Sequence, residues 1–421
     1  MSADKLGILV AGGPAPGINS VIAAASIRAS LAGIEVIGIC DGFEWIMQGV
    51  TDKVVPLSIE TVSRLHFRGG SFIGISRANP TDSQERMDNV VSSLERLGIS
   101  KLITIGGDGT AFLATQLQAT TRGKLQVVHV PKTIDNDLPL PPDIDTFGYQ
   151  TARHVGASIL NSLMVDAHSM SRWYFVVTMG RTAGHLALGI GKAAGATLTL
   201  IPEEFEAPIP LQVVVDTLVG AIIKRRTFGQ RHGVAVIAEG VSAVIDPAEV
   251  EAPKFTEEHG NVRFSSVRIG DILRDAVQAE LTALGIAVST IPKDIGYEVR
   301  SADPIPSDME YTRDLGYCAT RYLCEGGSGA MVTMQGGRFV PIPFGEMRDL
   351  ETGSTRVRLV DINSERYKIA RRYMIRIRRD DFENPDLLAK LAATAVMTVT
   401  AFRERFEPLT ANEPPPFSVF P

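Results

Sequence analysis

The sequence predicts an α/β protein built from two similar, doubly wound (Rossmann-like) domains with mainly parallel sheets, plus a C-terminal extension. Short apolar runs bounded by glycine alternate with segments of helical periodicity, which is typical of a parallel sheet covered by crossover helices. This alternation occurs in two successive sets. The length of 421 residues also exceeds what one ordinary hydrophobic core supports, so we expect at least two domains.

Each set contributes strands and helices in turn. The first set predicts strands at residues 7–11, 35–40, 101–105 and 125–130, with helices at 18–31 and 84–97. The second set predicts strands at residues 173–178, 197–201 and 234–238, with helices at 151–163 and 211–224. The helices are predicted to be the crossover connections between parallel strands.

Composition excludes several classes of function. Lys and Arg total 42 against 48 Asp and Glu, and this net charge of -6 offers no overall attraction to nucleic acid or to an anionic membrane. The three cysteines show no CxxC spacing, which argues against a disulfide framework and a zinc site. Because we find neither a signal peptide nor a long apolar run, we expect a cytoplasmic protein without a membrane span.

The first glycine-rich turn, AGGPAPGIN, predicts an anion site. Gly12 and Gly13 follow a predicted strand, and Gly17 opens a helix whose free amide groups can hold a phosphate. An ordinary strand-to-helix turn would look the same, so this motif alone leaves both interpretations open.

The second turn, IGGDGT, is more specific. Its glycines allow backbone amides to approach a polyphosphate, whereas the Asp108 carboxylate would repel phosphates unless a Mg²⁺ ion lay between them. A plain helix cap is the alternative role for Asp108. Because NAD kinases and diacylglycerol kinases share GGDGT, the motif indicates a nucleotide phosphate without specifying the acceptor.

The third turn, PKTIDND, concentrates charge at the end of an apolar strand. It contains Lys132, Thr133, Asp135 and Asp137 within one short segment. A carboxylate there can serve as the base for a hydroxyl nucleophile, and the lysine can stabilise a moving phosphoryl group. A loop of solvated charges is the alternative.

Later segments add cations and hydrogen-bonding groups. Arg172 and Arg181 flank a predicted strand, and arginine forks suit a sugar phosphate or a transferring phosphoryl group. Glu239 ends another strand, and the segment GYEVR contains Tyr297 and Arg300. Each of these residues would be unremarkable alone on a protein surface.

Taken in order, AGGPAPGIN, RGGSFIGISR, GGDGT, PKTIDND, MGR, AEG and GYEVR resemble the motifs of the phosphofructokinase family over residues 5–320. The resemblance implies a glycolytic kinase that phosphorylates the 1-hydroxyl of fructose 6-phosphate. It also implies a chain that crosses between domains near Phe147 and returns near Arg300. Residues 1–147 plus about 300–340 would bind the donor phosphates and magnesium. Residues 148–299 plus about 341–421 would bind the sugar phosphate and include the extension.

The resemblance also assigns roles. Asp135 would be the general base, with Lys132 and Arg181 as further catalytic residues, and Asp108 would hold Mg²⁺. The residues matching the fructose 6-phosphate site are Thr133, Asp135, Arg172, Met179, Gly180, Arg181, Glu239, Tyr297 and Arg300. The residues matching the donor-phosphate site are Gly13, Arg77, Gly107, Asp108, Gly109 and Thr110. Arg172 matches an arginine that the family supplies to a neighbouring subunit, which implies a homodimer or homotetramer.

The resemblance admits two phosphoryl donors. Pyrophosphate-dependent members typically have Asp at the position of Gly109 and Lys at that of Lys132, whereas short bacterial ATP-dependent members have Gly at both. An aspartate at 109 would repel the α-phosphate of ATP, with a repulsion of about 4 kcal/mol at a separation of about 4 Å and an effective dielectric constant of about 20. Because Gly109 removes that repulsion, we predict ATP as the donor. Pyrophosphate is the alternative, and the extension after residue 340 resembles that of longer pyrophosphate-dependent members and of the atypical ATP-dependent branch.

Two other functions share part of this residue pattern. A lipid or NAD kinase would share GGDGT but would not need PKTIDND, MGR and GYEVR. A catalytically silent regulatory subunit should have lost its acidic residues, whereas Asp108 and Asp135 are both present.

Overall fold

The structure, a computed structural model, describes residues 4–250, 267–347, 356–411 and 413. In chain order its strands are β1 Lys5–Val10, β2 Glu35–Ile39, β3 Val54–Pro56, β4 Ile99–Gly106, β5 Gln126–Thr133, β6 Phe147–Gly148, β7 Trp173–Thr178, β8 Leu198–Leu200, β9 Gly233–Ala238, β10 Thr290–Ile295, β11 Ala330–Met331, β12 Met334–Gln335, β13 Arg338–Phe339 and β14 Ile342–Pro343.

The helices alternate with these strands through most of the chain. In chain order they are α1 Ile18–Leu31, α2 Ile59–Val62, α3 Gln84–Arg96, α4 Asp108–Thr121, α5 Tyr149–Met170, α6 His185–Ala194, α7 Leu211–Thr227, α8 Val241–Val244, α9 Ile269–Ala283, α10 Tyr297–Arg300, α11 Pro306–Cys324, α12 Glu365–Tyr373, α13 Arg379–Glu383, α14 Pro385–Thr394 and α15 Val399–Phe406.

The chain folds into two units. Among the described residues, the first unit contains 4–155, 297–347 and 356–358, and the second contains 156–250, 267–296 and the residues from 359 onward. The chain leaves the first unit within α5, at Val155, whereas the sequence prediction placed the crossing near Phe147. The predicted assignment of donor and sugar binding to the two domains stays a prediction.

The sheet of the first unit has the strand order β14-β11-β5-β4-β1-β2-β3, and β6 pairs with the end of β5. Its central strands are parallel, and β3 and β14 are the antiparallel exceptions. The side chains of β4 and β5 are almost all buried, which is typical of a parallel sheet covered on both faces.

One face of this sheet is covered by amphipathic helices. Helix α3 buries Met87, Val90 and Leu94, which recur at helical spacing, against the strands. Leu102 of β4 and Val127 of β5 belong to the same buried cluster. This packing holds the strands in register, so the turns that follow them have defined positions.

The sheet of the second unit has the strand order β10-β7-β9-β8, with every pair parallel. Strand β7 is buried at each of its six residues. The helices of the C-terminal segment belong to this unit, and α14 and α15 pack against α7.

The predicted fold class is confirmed, and most predicted elements have the right type. Helix α1 and strand β7 have the predicted bounds. Strand β5 was predicted to end at residue 130 but continues to Thr133, because its last two residues pair with β6. Lys132 and Thr133 therefore lie on the strand. Helix α5 is longer at both ends than the predicted 151–163.

Within the described residues, no single helix has the length and apolar composition needed to cross a membrane. Helices Pro385–Thr394 and Val399–Thr410 meet that criterion only as a pair, with a bend of 90° between them.

Candidate active site

The first unit places two glycine turns at the point where its strand order reverses. From β1 the chain proceeds to β2 on one side, and β4 is later added on the other side. Gly12 and Gly13 follow β1, and Gly107 follows β4. Ligands of open α/β sheets bind at such a switch point, beyond the carboxyl ends of the strands.

The turn after β4 leads into the N-terminus of α4. Gly107 is the N-cap residue and supplies no side chain to the first-turn amides. A Cβ atom at Gly107 would lie 3.6 Å from the Lys132 carbonyl oxygen, which is an ordinary contact distance, so this turn lies beside the end of β5. Gly109 and the buried Thr110 lie in the first turn, as does Asp108. These amides and the positive end of the helix dipole suit a phosphate group.

Lys132 brings a positive charge to the first glycine turn, which contains Gly12 and Gly13. Its side chain belongs to a residue that is only 4% exposed, and Nζ donates a hydrogen bond to the carbonyl oxygen of Gly13. A Cβ atom at Gly12 would lie 3.5 Å from the same Nζ atom. The structure therefore brings together residues of the first and third motifs, at the ends of β1 and β5, the two strands that flank β4.

Asp135 lies just beyond the end of β5, in the loop that connects β5 to β6. It is half-buried, and its amide donates to the Thr133 hydroxyl at 3.0 Å. The next residue, Asn136, has a left-handed backbone with φ of 59°. Its side-chain oxygen accepts from the Thr146 amide at 2.9 Å, and its side-chain nitrogen donates to Asp145 at 2.7 Å. Asn136 therefore links the start of the loop to its end, at Asp145 and Thr146.

Two predicted arginines lie near the first turn. Arg77 is exposed and follows Ser76, whose carbonyl oxygen accepts from the Gly12 amide at 2.9 Å. Arg300 has Nη1 at 3.5 Å from the position of a Cβ atom on Gly13, and its guanidinium lies 4.6 Å from the centre of the Tyr297 ring. The sequence assigned Arg300 to the sugar phosphate. The structure gives its neighbours in the first unit, and its role stays a prediction.

In the second unit, the MGR segment is held by a buried carboxylate. Glu239, at the end of β9, is 8% exposed, and its Oε1 accepts from the amides of Gly180 at 3.2 Å and Arg181 at 2.9 Å. Arg181 has a left-handed backbone with φ of 52°. Met179 lies against Gly296, where a Cβ atom would approach its Cε to 2.6 Å. The predicted residues of the MGR and AEG motifs therefore contact one another directly.

A second carboxylate supports this segment and was missed by the sequence analysis. Glu203 Oε1 accepts from the Gly184 amide at 2.8 Å, just before α6, and from the Val360 amide at 2.9 Å. Burial raises the pKa of Glu203. Nothing in the segment IPEEFE distinguishes Glu203 from Glu204, because Val360 lies 157 positions away in the sequence.

Arg172 forms a bidentate pair within its own unit. Its Nε and Nη2 donate to the two oxygens of Asp166, each at 2.8 Å, and the Tyr174 hydroxyl donates to Asp166 at 2.5 Å. The hydrogen bond from Arg172 lowers the pKa of Asp166. The sequence predicted that Arg172 contacts the sugar of a neighbouring subunit, and that role stays a prediction.

The described side chains include few that could together hold a metal ion. Over the described ranges, no group of three or more His, Cys, Asp or Glu side chains could hold one. The Asp108 carboxylate fits a Mg²⁺ ion nevertheless, because Mg²⁺ commonly takes one or two protein carboxylates and completes its shell with substrate phosphates and water.

Parallel strands that end in glycine turns, with a buried lysine, carboxylates and arginines beside them, define an α/β protein of the doubly wound class and are typical of a phosphate site. The family model described as "Phosphofructokinase" matches residues 5–323. This chain belongs to the phosphofructokinase family, as the resemblance of the motifs implied.

Three similar proteins illustrate the relationship. The pyrophosphate--fructose 6-phosphate 1-phosphotransferase of Thermotoga maritima is 49% identical over 411 residues, which cover 96% of this chain and 98% of that protein. The protein of the same name from Naegleria fowleri is 45% identical over 415 residues, with coverages of 96% and 95%. The crystal structure of the pyrophosphate-dependent phosphofructokinase from Marinobacter aquaeolei has a TM-score of 0.66 at 18% identity, covering 99% of this chain and 94% of that one. This last likeness supports the fold.

Proposed function

We propose that this protein transfers a phosphoryl group from pyrophosphate to the 1-hydroxyl of fructose 6-phosphate. The products are fructose 1,6-bisphosphate and orthophosphate. The observation that carries the choice of donor is the close similarity, along nearly the whole chain, to the two proteins named pyrophosphate--fructose 6-phosphate 1-phosphotransferase.

The donor predicted from the sequence, ATP, was therefore wrong. The prediction gave most weight to Gly109, which removes a repulsion that would act on ATP. Relatives that are 49% and 45% identical and named for pyrophosphate overturn it. The absence of an aspartate at 109 removes an obstacle to ATP, but it does not create a site for a nucleoside.

The position of Lys132 agrees with pyrophosphate as the donor. Its ammonium group is fixed on the Gly13 carbonyl, beneath the first glycine turn, in a nearly buried residue. A cation held in this way is attracted to compact, highly charged phosphate groups, and it needs no adenosine contact to contribute.

Asp135 is proposed to take the proton from the 1-hydroxyl. The hydrogen bond that its backbone amide donates to the Thr133 hydroxyl and the closed turn at Asn136 hold the start of the loop in one conformation. A positioned carboxylate can then act as the general base while the oxygen attacks phosphorus. Positioning and charge stabilisation account for most of the catalysis of phosphoryl transfer.

The first turn of α4 is proposed to bind the donor phosphates. Its amides have no side-chain cap and follow the Gly107 backbone. Asp108 would hold Mg²⁺ together with phosphate oxygens. When bound, Mg²⁺ would neutralise charge that develops on the transferring group. The amides and Lys132 orient the same group.

The second unit is proposed to bind fructose 6-phosphate. Glu239 accepts hydrogen bonds from the amides of Gly180 and Arg181 and so holds the backbone at this point. The held backbone sets the direction of the Arg181 side chain. A fork of N–H donors matches a phosphate monoester well.

The role in glycolysis, the homo-oligomeric state and the cytoplasmic location also stay predictions.

The first experiment measures formation of fructose 1,6-bisphosphate with Mg²⁺ and either pyrophosphate or ATP as donor. We expect turnover with pyrophosphate, one orthophosphate released per bisphosphate formed, and a rate with ATP lower by about 100-fold or more. Turnover with ATP that equals or exceeds the rate with pyrophosphate would refute the proposed donor. Inactivity with both donors would refute the proposed acceptor as well.

A lysine variant tests the role of the buried cation. Lys132→Met should lower kcat/KM for pyrophosphate by about 100-fold or more, because one preorganised charge is lost from the transition state. Lys101→Met is the matched control, since Lys101 is also nearly buried in the same sheet but pairs with Asp4 at the opposite end of β4. Equal kinetic losses in the two variants would contradict this role.

A further inference from the structure

The loop that carries Asp135 is long and lies outside the strand pairing. It connects Thr133 at the end of β5 to Phe147 at the start of β6. Asn136, Asp137 and Leu140 are nevertheless buried. Buried carbonyl groups need hydrogen-bond donors, and a loop that makes no ladder must find them elsewhere.

Arg358 supplies several of these donors from a distant part of the chain. Its Nε donates to the Asn136 carbonyl at 3.0 Å, and its Nη2 donates to the Asn136 side-chain oxygen. Its Nη1 lies within hydrogen-bond distance of three further carbonyl oxygens, those of Leu140 at 3.3 Å, Pro141 at 3.1 Å and Ile144 at 2.8 Å.

The backbone of Arg358 contacts the same loop. Its amide donates to the Asp137 carbonyl at 2.7 Å. One residue therefore reaches both ends of the segment from Asn136 to Ile144, and its contacts begin next to Asp135. A guanidinium offers five donors in a rigid plane, whereas a lysine ammonium offers three donors at a single point. The arrangement of acceptors is specific to arginine.

We propose that Arg358 is a positioning residue that holds the Asp135 loop in its catalytic conformation. The inference rests on the proposed function of Asp135 as the base in phosphoryl transfer. Arg358 lies beyond residues 5–323, which match the family model, so the C-terminal segment completes a loop whose proposed catalytic base, Asp135, lies in the PKTIDND motif. Arg358 does not itself touch the reacting atoms in this proposal.

The kinetic test compares Arg358→Lys with Arg225→Lys in the full-length protein. Arg225 is the matched control, because it is also a partly buried arginine that donates to a carbonyl group, that of His232 in the second unit. We expect Arg358→Lys to lower kcat by about 100-fold, the loss typical of a catalytic group displaced by about 1 Å, with KM for fructose 6-phosphate within about threefold of wild type. Arg225→Lys should leave kcat unchanged.

The same variants are then examined by hydrogen–deuterium exchange, which does not depend on activity. Amides of residues 134–146 should exchange faster in Arg358→Lys and at the wild-type rate in Arg225→Lys. If Arg358→Lys does not fold, Arg358→Gln takes its place. Unchanged exchange in this loop, or unchanged kcat with faster exchange, would overturn the proposal.

A double variant shows whether the effect passes through Asp135. In an Asp135→Ser background, adding Arg358→Lys should reduce the residual rate little further, because the group it positions is already missing. A full additional 100-fold loss would show that Arg358 acts on something else. Wild-type protein that does not phosphorylate fructose 6-phosphate would refute the proposed function, while the exchange experiment would still judge whether Arg358 orders the loop.

Discussion

Substitution of Gly240 by alanine should displace the backbone of Arg181 while leaving the Arg181 side chain itself unaltered. Gly240 follows Glu239 at the start of α8. A Cβ atom added there would come within 3.0 Å of the Arg181 carbonyl oxygen, and would lie 3.2 Å from Cα of Thr182. These two neighbours are backbone atoms, and a third, Cγ of Pro202 at 3.2 Å, belongs to a ring, so no flexible side chain can rotate away to make room.

The size of the disturbance follows from these distances. Real Cβ atoms essentially never approach another atom within 3.0 Å, and ordinary contact begins at 3.4 Å. The added Cβ atom would lie closer than 3.0 Å to the Arg181 carbonyl oxygen. To restore an ordinary contact of 3.4 Å, the Arg181 backbone or the start of α8 must therefore shift by more than about 0.4 Å. A displacement of about 1 Å costs about 100-fold in rate, so about half that displacement should cost about tenfold in kcat/KM for fructose 6-phosphate. Overpacking should also lower the stability by about 1–3 kcal/mol.

The assay is steady-state kinetics at varied fructose 6-phosphate and saturating donor, on protein whose folding has been checked by thermal unfolding. Gly345→Ala is the control, because a Cβ atom at Gly345 would meet nothing within 4 Å. The control should behave as wild type. Wild-type kcat/KM in Gly240→Ala would refute the argument that Glu239 and Gly240 set the position of Arg181.

Two further predictions concern Asp135 and His129. Asp135→Ser should lower kcat by several orders of magnitude while fructose 6-phosphate still binds, which equilibrium binding can measure; an unchanged kcat would contradict its role as the base. His129 is fully buried beside Thr104, and burial lowers its pKa from 6.5 to about 3. The folded protein therefore binds no proton there at pH 5 while the unfolded chain does. The contribution of neutral His129 to the free energy of unfolding is therefore complete above pH 6.5 and declines as the pH falls below that value. Between pH 7 and pH 5 the wild type should lose about 2 kcal/mol more of its free energy of unfolding than His129→Gln, in denaturant titrations at each pH. Equal losses in the two proteins would show that His129 is not held neutral.

Much of the fold could be predicted because its signals are local. Helix α1 lies between Gly17 and Gly33, and strand β7 is a short continuous apolar run, and both were predicted with the right bounds. Strand β5 was predicted too short, because Pro131 and Lys132 look like the start of a turn and only pairing with β6 extends the strand. The donor could not be chosen correctly from Gly109 and Lys132, since each position pointed to a different phosphoryl donor.

By itself, the sequence determined the glycine turns, the carboxylates and the family to which the chain belongs, because these depend on residue type and short spacing. The tertiary structure decided which groups meet. It put the Lys132 ammonium on the Gly13 carbonyl, 119 positions away, and the Arg358 guanidinium on the Asn136 loop, 222 positions away. Such contacts depend on strand order and on the return of the C-terminal segment, and a hydrogen-bond partner hundreds of residues away leaves no periodic signal in the chain.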